Sequence, residues 1–453
     1  MKIVESVNSV MWDYVLLILL CGTGIFFTFR LGFVQIKKFG ESFKRTFGNI
    51  NLRGKKAGMD GMSSFQALAT AIAAQIGTGN IAGAATAIAS GGPGAIFWMW
   101  LSAFFGMATI FSKATLAQKY KETRNGEVVG GPVYYIKAAF KGKFGKVLAV
   151  LFAVFIILAL GFMGNMVQPN SIGSAFNKAF GIDPILVGAI CAALAAFIFI
   201  GGVGRIASVT EKIVPLMAIL YVTGSLVVIF ANIGNIGNAF ASIFVGAFDP
   251  QAVMGGVAGV TVKETVRYGV ARGIFSNEAG MGSTPHAHAI AKVAHPCQQG
   301  VVAIMGVFLD TFIVLTMTVL TILTTGVLSS GETGTSLTQL AFSSVFGDFG
   351  NVFIAVCLFF FAFSTIIGWY FFGQQNIKYL FGKKAVKFYA ILVVGFIVVG
   401  SALKVQTVWD MSDMFNGFMV IPNLLALLAL SGVVANEYKD YKTKMPNIIK
   451  IKK

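Results

Sequence analysis

Two short stretches of this chain combine the residue types that hold small polar solutes inside an apolar protein. One is Gln75-Ile76-Gly77-Thr78-Gly79-Asn80 and the other runs from Gly273 to Gly282 through Ser276, Asn277 and Glu278. In the first, backbone amides around Gly77, Thr78 and Gly79 can converge on one anion, helped by the positive end of a half-helix starting near Asn80. A carboxylate fits that description. Glycine permits both the unwinding and the close approach of a small ligand to the backbone. The pair Gly79 and Gly83 is explained equally well by close helix packing, and the whole stretch could be a hinge that binds nothing. In the second stretch Glu278 could attract a cation, take up a proton, or bond to amides freed by unwinding.

Further candidates lie elsewhere. Ser364-Thr365 places adjacent hydroxyls in an apolar run, followed by Gly368-Trp369. Hydroxyls facing the carbonyls of an unwound helix make an all-oxygen site suited to a hard monovalent cation. Taken alone, the pair is better explained by bonds back to the preceding helical turn. Trp369 could wall a small apolar pocket, although packing is its commoner role. Gln168-Pro169-Asn170 sets two amides and a helix breaker in another apolar run, so one amide can reach a cavity. Asp310 is a second intramembrane acid, with interior pairing as its plain explanation. His286, His288 and His295 suggest a metal only weakly, because no Cys or carboxylate completes a ligand set; they read as interfacial residues. Cys21, Cys191, Cys297 and Cys357 show neither metal nor disulfide spacing. No Walker A sequence and no catalytic constellation stand out, so the chain reads as a non-enzyme that does not draw on ATP.

The elements that must position these residues are membrane spans. The 453 residues are 56% hydrophobic and 12% charged, with a mean hydropathy of +0.79, a balance that excludes an ordinary water-soluble protein. Apolar runs long enough to cross roughly 30 Å of hydrocarbon fall at about 11–29, 62–90, 93–118, 146–175, 184–201, 212–232, 266–291, 299–327, 350–377, 386–404 and 412–434. The first reads as a retained span and not a cleaved signal, because little charge precedes it and Cys21-Gly22-Thr23-Gly24 lies inside it. The net charge of +17 sits in short loops with no nucleic-acid-binding motif, as positive-inside topology requires. Arg30, Lys37, Lys38, Lys44, Arg45, Arg53, Lys55 and Lys56 put the first loop in the cytoplasm and the N-terminus outside. The loops with Lys119 to Lys146, Arg205, Lys378 to Lys384 and the Lys-rich tail also fall inside. Lys263 and Arg267 are the exception, entering the seventh span from outside.

The two unusual stretches interrupt spans two and seven. Non-helical backbone survives at bilayer depth only where protein buries it or it lines a cavity. The second break comes five spans after the first, an odd step, so spans two to six and seven to eleven form two five-helix units of opposite orientation, the inverted repeat of secondary transporters. The expected division is 1–60 for an extra helix and basic loop, 61–232 and 266–436 for the repeats, 233–265 for an outer connection with short helices, and 437–453 for a basic tail.

The run Gly91-Gly92-Pro93-Gly94-Ala95-Ile96-Phe97-Trp98-Met99-Trp100-Leu101, followed by Ser102-Ala103-Phe104-Phe105-Gly106, resembles the signature of the alanine or glycine:cation symporter family. Gly77 to Gly83 and Ser276 to Gly280 are similar to that family as well. The resemblance implies an all-α, LeuT-like five-plus-five inverted repeat with one extra N-terminal helix, about eleven spans with two of them broken, in the cell membrane. It implies import of alanine or glycine together with sodium. Gln75, Thr78 and Gly79 would then serve substrate or ion, and Gly273, Ile274, Phe275 and Ser276 would line the pocket. Ser364 and Thr365 would hold sodium with carbonyls near Gln75 and Thr78. Asn170, Ile366 and Trp369 join the pocket by helix position. The rivals are a proton-coupled carrier using Glu278 or Asp310, a channel, which the lack of a ring of charges or carbonyls disfavours, and a membrane-embedded enzyme.

Overall fold

The computed structural model describes residues 2–48, 61–124, 126–254, 260–403 and 405–445. Arg53, Lys55, Lys56 and the tail beyond Met445 lie outside the described residues. Everything described is helix and connection except one small hairpin, Glu122–Arg124 paired with Glu127–Val129.

The first span, α1 (Lys2–Arg30), is a single apolar helix. It lies directly against α4 (Ala95–Lys119), where a side chain at Gly24 would meet the Phe105 backbone at 3.0 Å. Continuous helical spans are α5 (Gly142–Phe180), α6 (Pro184–Ile200), α7 (Gly202–Ala231), α10 (Pro296–Thr325), α12 (Asp348–Phe381), α13 (Ala385–Ala402) and α14 (Val405–Ala429), with the shorter α11 (Gly334–Phe346) between α10 and α12. Eight of the described helices, α1 among them, are long and apolar enough to cross a membrane.

Spans two and seven are broken, as expected. α2 (Ser64–Gln75) starts on a capping box in which Ser63 and Gln66 satisfy each other's backbone N–H groups. It stops at Gln75, Ile76 is extended, and the chain resumes as a wide π turn over Gly79–Gly83 before α3 (Ala84–Gly91). α8 (Val262–Asn277) starts on the same device, Thr261 with Glu264, and ends because Glu278 adopts a left-handed conformation, φ 53°. A non-glycine residue rarely takes that conformation, so its surroundings must impose it. The short α9 (Pro285–Ala289) follows. Five spans therefore follow α1 in each half, and each half opens with its broken member. Wide π turns also occur within α5 at Ile157–Gly164 and within α10 at Phe308–Leu315, the latter packed against both breaks.

Between Ala231 and Val262 the chain forms the short helix Ile236–Gly246. Residues 431–444 form a packed helix, α15 (Ser431–Lys444), because Val434, Tyr438 and Tyr441 recur on one face and are buried. Tyr438 meets Phe111 of α4 edge-on, and Glu437 pairs with Lys119 at 2.7 Å. The exceptional basic residues of the seventh span are matched by acids: Arg267 pairs with Asp13 of α1, and Arg272 with Asp413 of α14 at 3.1 Å. At the opposite, Lys-rich end, Glu127 accepts from Lys378 at 2.5 Å and Lys383 at 2.8 Å. Burial alone would raise the Glu127 carboxyl, but the two ammonium groups hold it below the usual carboxylate range.

The Gly91 to Gly94 run has a steric basis. Gly92 has φ +74°, and a Cβ on Gly94 would fall inside the Gly246 backbone of the connecting helix. Gly94→Ala should therefore lower the thermal stability of the detergent-purified protein by about 1–3 kcal/mol, the usual effect of overpacking. A melting temperature equal to wild type would show that this contact yields freely.

Candidate functional site

Opening α2 releases backbone groups that neighbouring side chains take up. The Asn80 Oδ1 accepts the Gly77 N–H at 2.9 Å, and the Gln168 Oε1 of α5 accepts the Thr78 N–H at 3.3 Å. Two of the amides that the sequence offered to an anion are thus occupied by protein oxygens, so the first break is not an open anion cradle. Gln75 points across to the other break, its Nε2 donating to the Asn277 carbonyl at 2.6 Å. Its Oε1 and the Thr78 Oγ1 are buried and have no hydrogen-bond partner among the described residues.

The second break is held by charge. Glu278 is fully buried, and its carboxylate accepts from the Ser283 hydroxyl and the Trp369 indole N–H, each at 2.5 Å. Lys113 of α4, also fully buried, donates to the Glu278 carbonyl at 2.5 Å. A buried anion and cation on the same turn spare each other much of the penalty of isolation. The Asn277 Oδ1 accepts the Ala279 N–H at 3.0 Å, and Asn423 of α14 donates to the Gly280 carbonyl at 2.9 Å.

Asp310, in the π turn of α10, joins the two breaks. Its Oδ1 accepts from Asn80 at 2.7 Å and from Ser276 at 2.8 Å, while its Oδ2 accepts from Thr311 at 2.8 Å. Among the described residues no basic side chain pairs with it. The breaks also touch directly, since a Cβ on Gly79 would lie 3.3 Å from Ser276 and 3.5 Å from the Phe275 ring.

Beside the first break, Ser364 and Thr365 of α12 face the open end of α2. Thr365 Oγ1 lies 2.9 Å from the Ala73 carbonyl and 3.3 Å from that of Ile76, and Ser364 Oγ lies 3.4 Å from the Ala73 carbonyl. Both hydroxyls also bond back to the Phe361 carbonyl of the preceding turn. The carbonyls that meet the hydroxyls belong to Ala73 and Ile76, and Gln75 and Thr78, expected as cation ligands, do not contribute to this cluster. Gln75 is committed to the Asn277 carbonyl, and the extended conformation of Ile76 carries Thr78 toward Gln168 of α5. Glycines bring the helices together: a Cβ on Gly368 would lie 3.1 Å from the Ala74 backbone, and one on Gly77 would strike Thr365.

The remaining expected residues divide. Phe275 packs edge-on against Trp369, with centroids 6.0 Å apart, and against Trp409 at 4.9 Å. Gly273 backs onto Met99, while Ile274 and Ile366 are buried. Trp369 sits beside the second break, with its N–H committed to Glu278. Asn170 lines a cavity of about 300 Å³ that reaches from Ala82 and Gly83 of the first break to Arg272 and Trp409. Its amide nitrogen, however, donates to the Gly400 and Leu403 carbonyls, which it caps at the end of α13. The histidines correct an expectation. His286 and His288 are 1% exposed and bond to Asn376 and Gln299, so they are interior residues and not interfacial ones. Sequence reasoning missed Lys113 altogether, although a lysine inside a 25-residue apolar helix is a signal in its own right.

Asp310 receives the Asn80 amide, which also reaches the Asp310 backbone carbonyl at 3.2 Å, and is the acceptor for the Ser276 and Thr311 hydroxyls. Asp310→Leu should strand them and lower thermal stability in detergent well beyond Asp310→Asn, because each orphaned buried donor costs about 1–3 kcal/mol. Equal melting temperatures for the two variants would contradict the bridging role.

The model of the sodium:alanine symporter family matches residues 1–452. The chain is similar to the sodium/alanine symporter AgcS of Methanococcus maripaludis, 43% identical over 97% of both chains. It is similar also to the probable sodium/glutamine symporter GlnT of Bacillus subtilis, 42% identical over 97% of this chain and 90% of that one. Among solved structures it resembles MhsT in complex with L-phenylalanine, with a TM-score of 0.58 and 13% identity over 85% of this chain and 99% of that one. That likeness shows the fold, LeuT-like, with two five-helix units behind one N-terminal helix. With two broken spans meeting at a buried polar centre and a match along nearly its whole length, the chain belongs to the sodium:alanine symporter family.

Proposed function

We propose that the protein imports a small neutral amino acid, alanine or glycine, together with sodium by alternating access. The observation that carries this reading is the cluster of Ser364 and Thr365 hydroxyls with the Ala73 and Ile76 carbonyls. These four neutral oxygens at the mouth of an opened helix suit a dehydrated monovalent cation, whose binding would steady the unwound turn. Substrate rests beside it, between the first break at Gln75, Thr78 and Gly79 and the second at Gly273 to Ser276, with Ile366, Trp369 and Asn170 as further wall residues. The close approach of Gly79 to Ser276 favours a solute with a short side chain. AgcS is named for alanine and GlnT for glutamine, so competition between the two solutes distinguishes narrow from broad selection.

In this reading 61–232 and 266–436 are the two repeats, with 1–60, 233–265 and 437–453 as extra helix, outer connection and tail. The N-terminus lies outside and the C-terminus in the cytoplasm of the plasma membrane. The concentration of Lys119, Lys121, Lys141, Lys143, Lys378 and Lys383 in loops of the same parity supports that orientation. A tenfold sodium gradient supplies about 1.4 kcal/mol, and one charge crossing 100 mV adds about 2.3. One sodium per neutral solute could then sustain an accumulation of roughly several hundredfold.

Replacing Ser364 and Thr365 together with Ala should raise the sodium concentration needed for half-maximal alanine uptake in proteoliposomes by about tenfold or more, the loss of roughly 1.4 kcal/mol. An unaltered sodium dependence, measured at fixed pH, would remove the cation from this place. Gly79→Val should abolish alanine binding, since its Cβ already meets Ser276 and the added methyls have no room. Normal affinity by calorimetric titration would move the substrate elsewhere.

A further inference from the structure

On the outer face of the molecule, at the Lys-rich end, a groove of about 610 Å³ runs between α6, α12 and α13. Its wall is apolar. The Phe199 ring stacks on Tyr370 with centroids 3.5 Å apart and planes at 11°, and Ile391 continues the surface, 70% exposed. Its mouth is basic. Lys378, Lys383 and Lys387 line it, and the neighbouring Glu127 is the shared partner of the first two. Three ammonium groups thus face one carboxylate, leaving positive charge in excess. Lys383 keeps 53% of its side chain exposed despite its bond to Glu127, and Lys387 is exposed on the next turn of chain.

We propose that this groove binds one anionic phospholipid, with an acyl chain along Phe199, Tyr370 and Ile391 and the phosphate at Lys383 and Lys387. Charge complementarity selects the occupant. A zwitterionic lipid would leave the lysines without a net counter-charge, and a free phosphate would leave the apolar wall uncovered. The basic cluster stands where α12 turns into α13, which is where a headgroup would sit if these helices cross a bilayer. The consequence reaches the centre of the protein, because Tyr370 adjoins Trp369 on the helix that carries Ser364 and Thr365. A lipid seated here buttresses the outer side of that helix.

Full-length protein in detergent micelles doped with phosphatidylglycerol or phosphatidylcholine of identical chains would be examined by native mass spectrometry. The expected result is one retained phosphatidylglycerol per chain, with phosphatidylcholine stripped at the same collision energy. Lys383→Gln with Lys387→Gln should weaken retention about 30-fold, each lysine near a lipid surface being worth about 1 kcal/mol. Ala390→Trp, which fills the groove and keeps both lysines, should lose the lipid as well. Equal retention of the two lipids, or undiminished retention in the exposed lysine variant, would overturn the proposal. So would glycerol phosphate raising the melting temperature as far as phosphatidylglycerol does, since the headgroup alone would then suffice.

Discussion

Hydrocarbon offers no hydrogen bonds, so each backbone group released by an opened helical turn has to be met by another part of the same chain. In this protein the answer is mutual. Gln75 leaves the first break to bond the Asn277 carbonyl in the second, while Asn80 secures Gly77 and, through Asp310, reaches Ser276. Gln168, Lys113 and Asn423 then tie the breaks to α5, α4 and α14. Neither break could keep its shape if the other were a plain helix. That dependence makes the pair a unit in which a change at one opening is transmitted to the other.

Close approach is the second requirement, and glycine supplies it where it matters. Gly79 lets the first break lie on Ser276, Gly77 leaves room for the Thr365 hydroxyl, and Gly368 seats α12 on α2. The distances between hydroxyls and carbonyls in the proposed cation cluster therefore follow from backbone contact, which transmits small displacements without slack. α6 and α13 pack on the far side of α5 and α12 from this centre. The outer groove gives the bilayer itself a place from which to bear on α12.

Two cations of the span region are compensated by acids. Lys113 and Glu278 enter the interior together, and Arg272 finds Asp413 on α14. Asp310 differs, being buried among neutral donors only, which is why it can serve as the common acceptor for both breaks.

Much of the architecture was legible in the chain itself. Hydropathy placed the spans, glycine and polar residues at Gln75 to Asn80 and Gly273 to Gly282 marked the breaks, and the parity of the spans between them set the two halves against each other. Those inferences hold because a bilayer imposes length and polarity on each segment separately, so no knowledge of its neighbours is needed. Tertiary structure decided what each polar side chain does. Trp369 reaches Glu278, Asn170 caps α13, His286 and His288 are interior, and the Ser364 and Thr365 hydroxyls meet the carbonyls of Ala73 and Ile76. These outcomes depend on which face of a helix meets which neighbour after the chain opens at Ile76 and Glu278. Partners there are separated by up to hundreds of residues, so no local pattern encodes them.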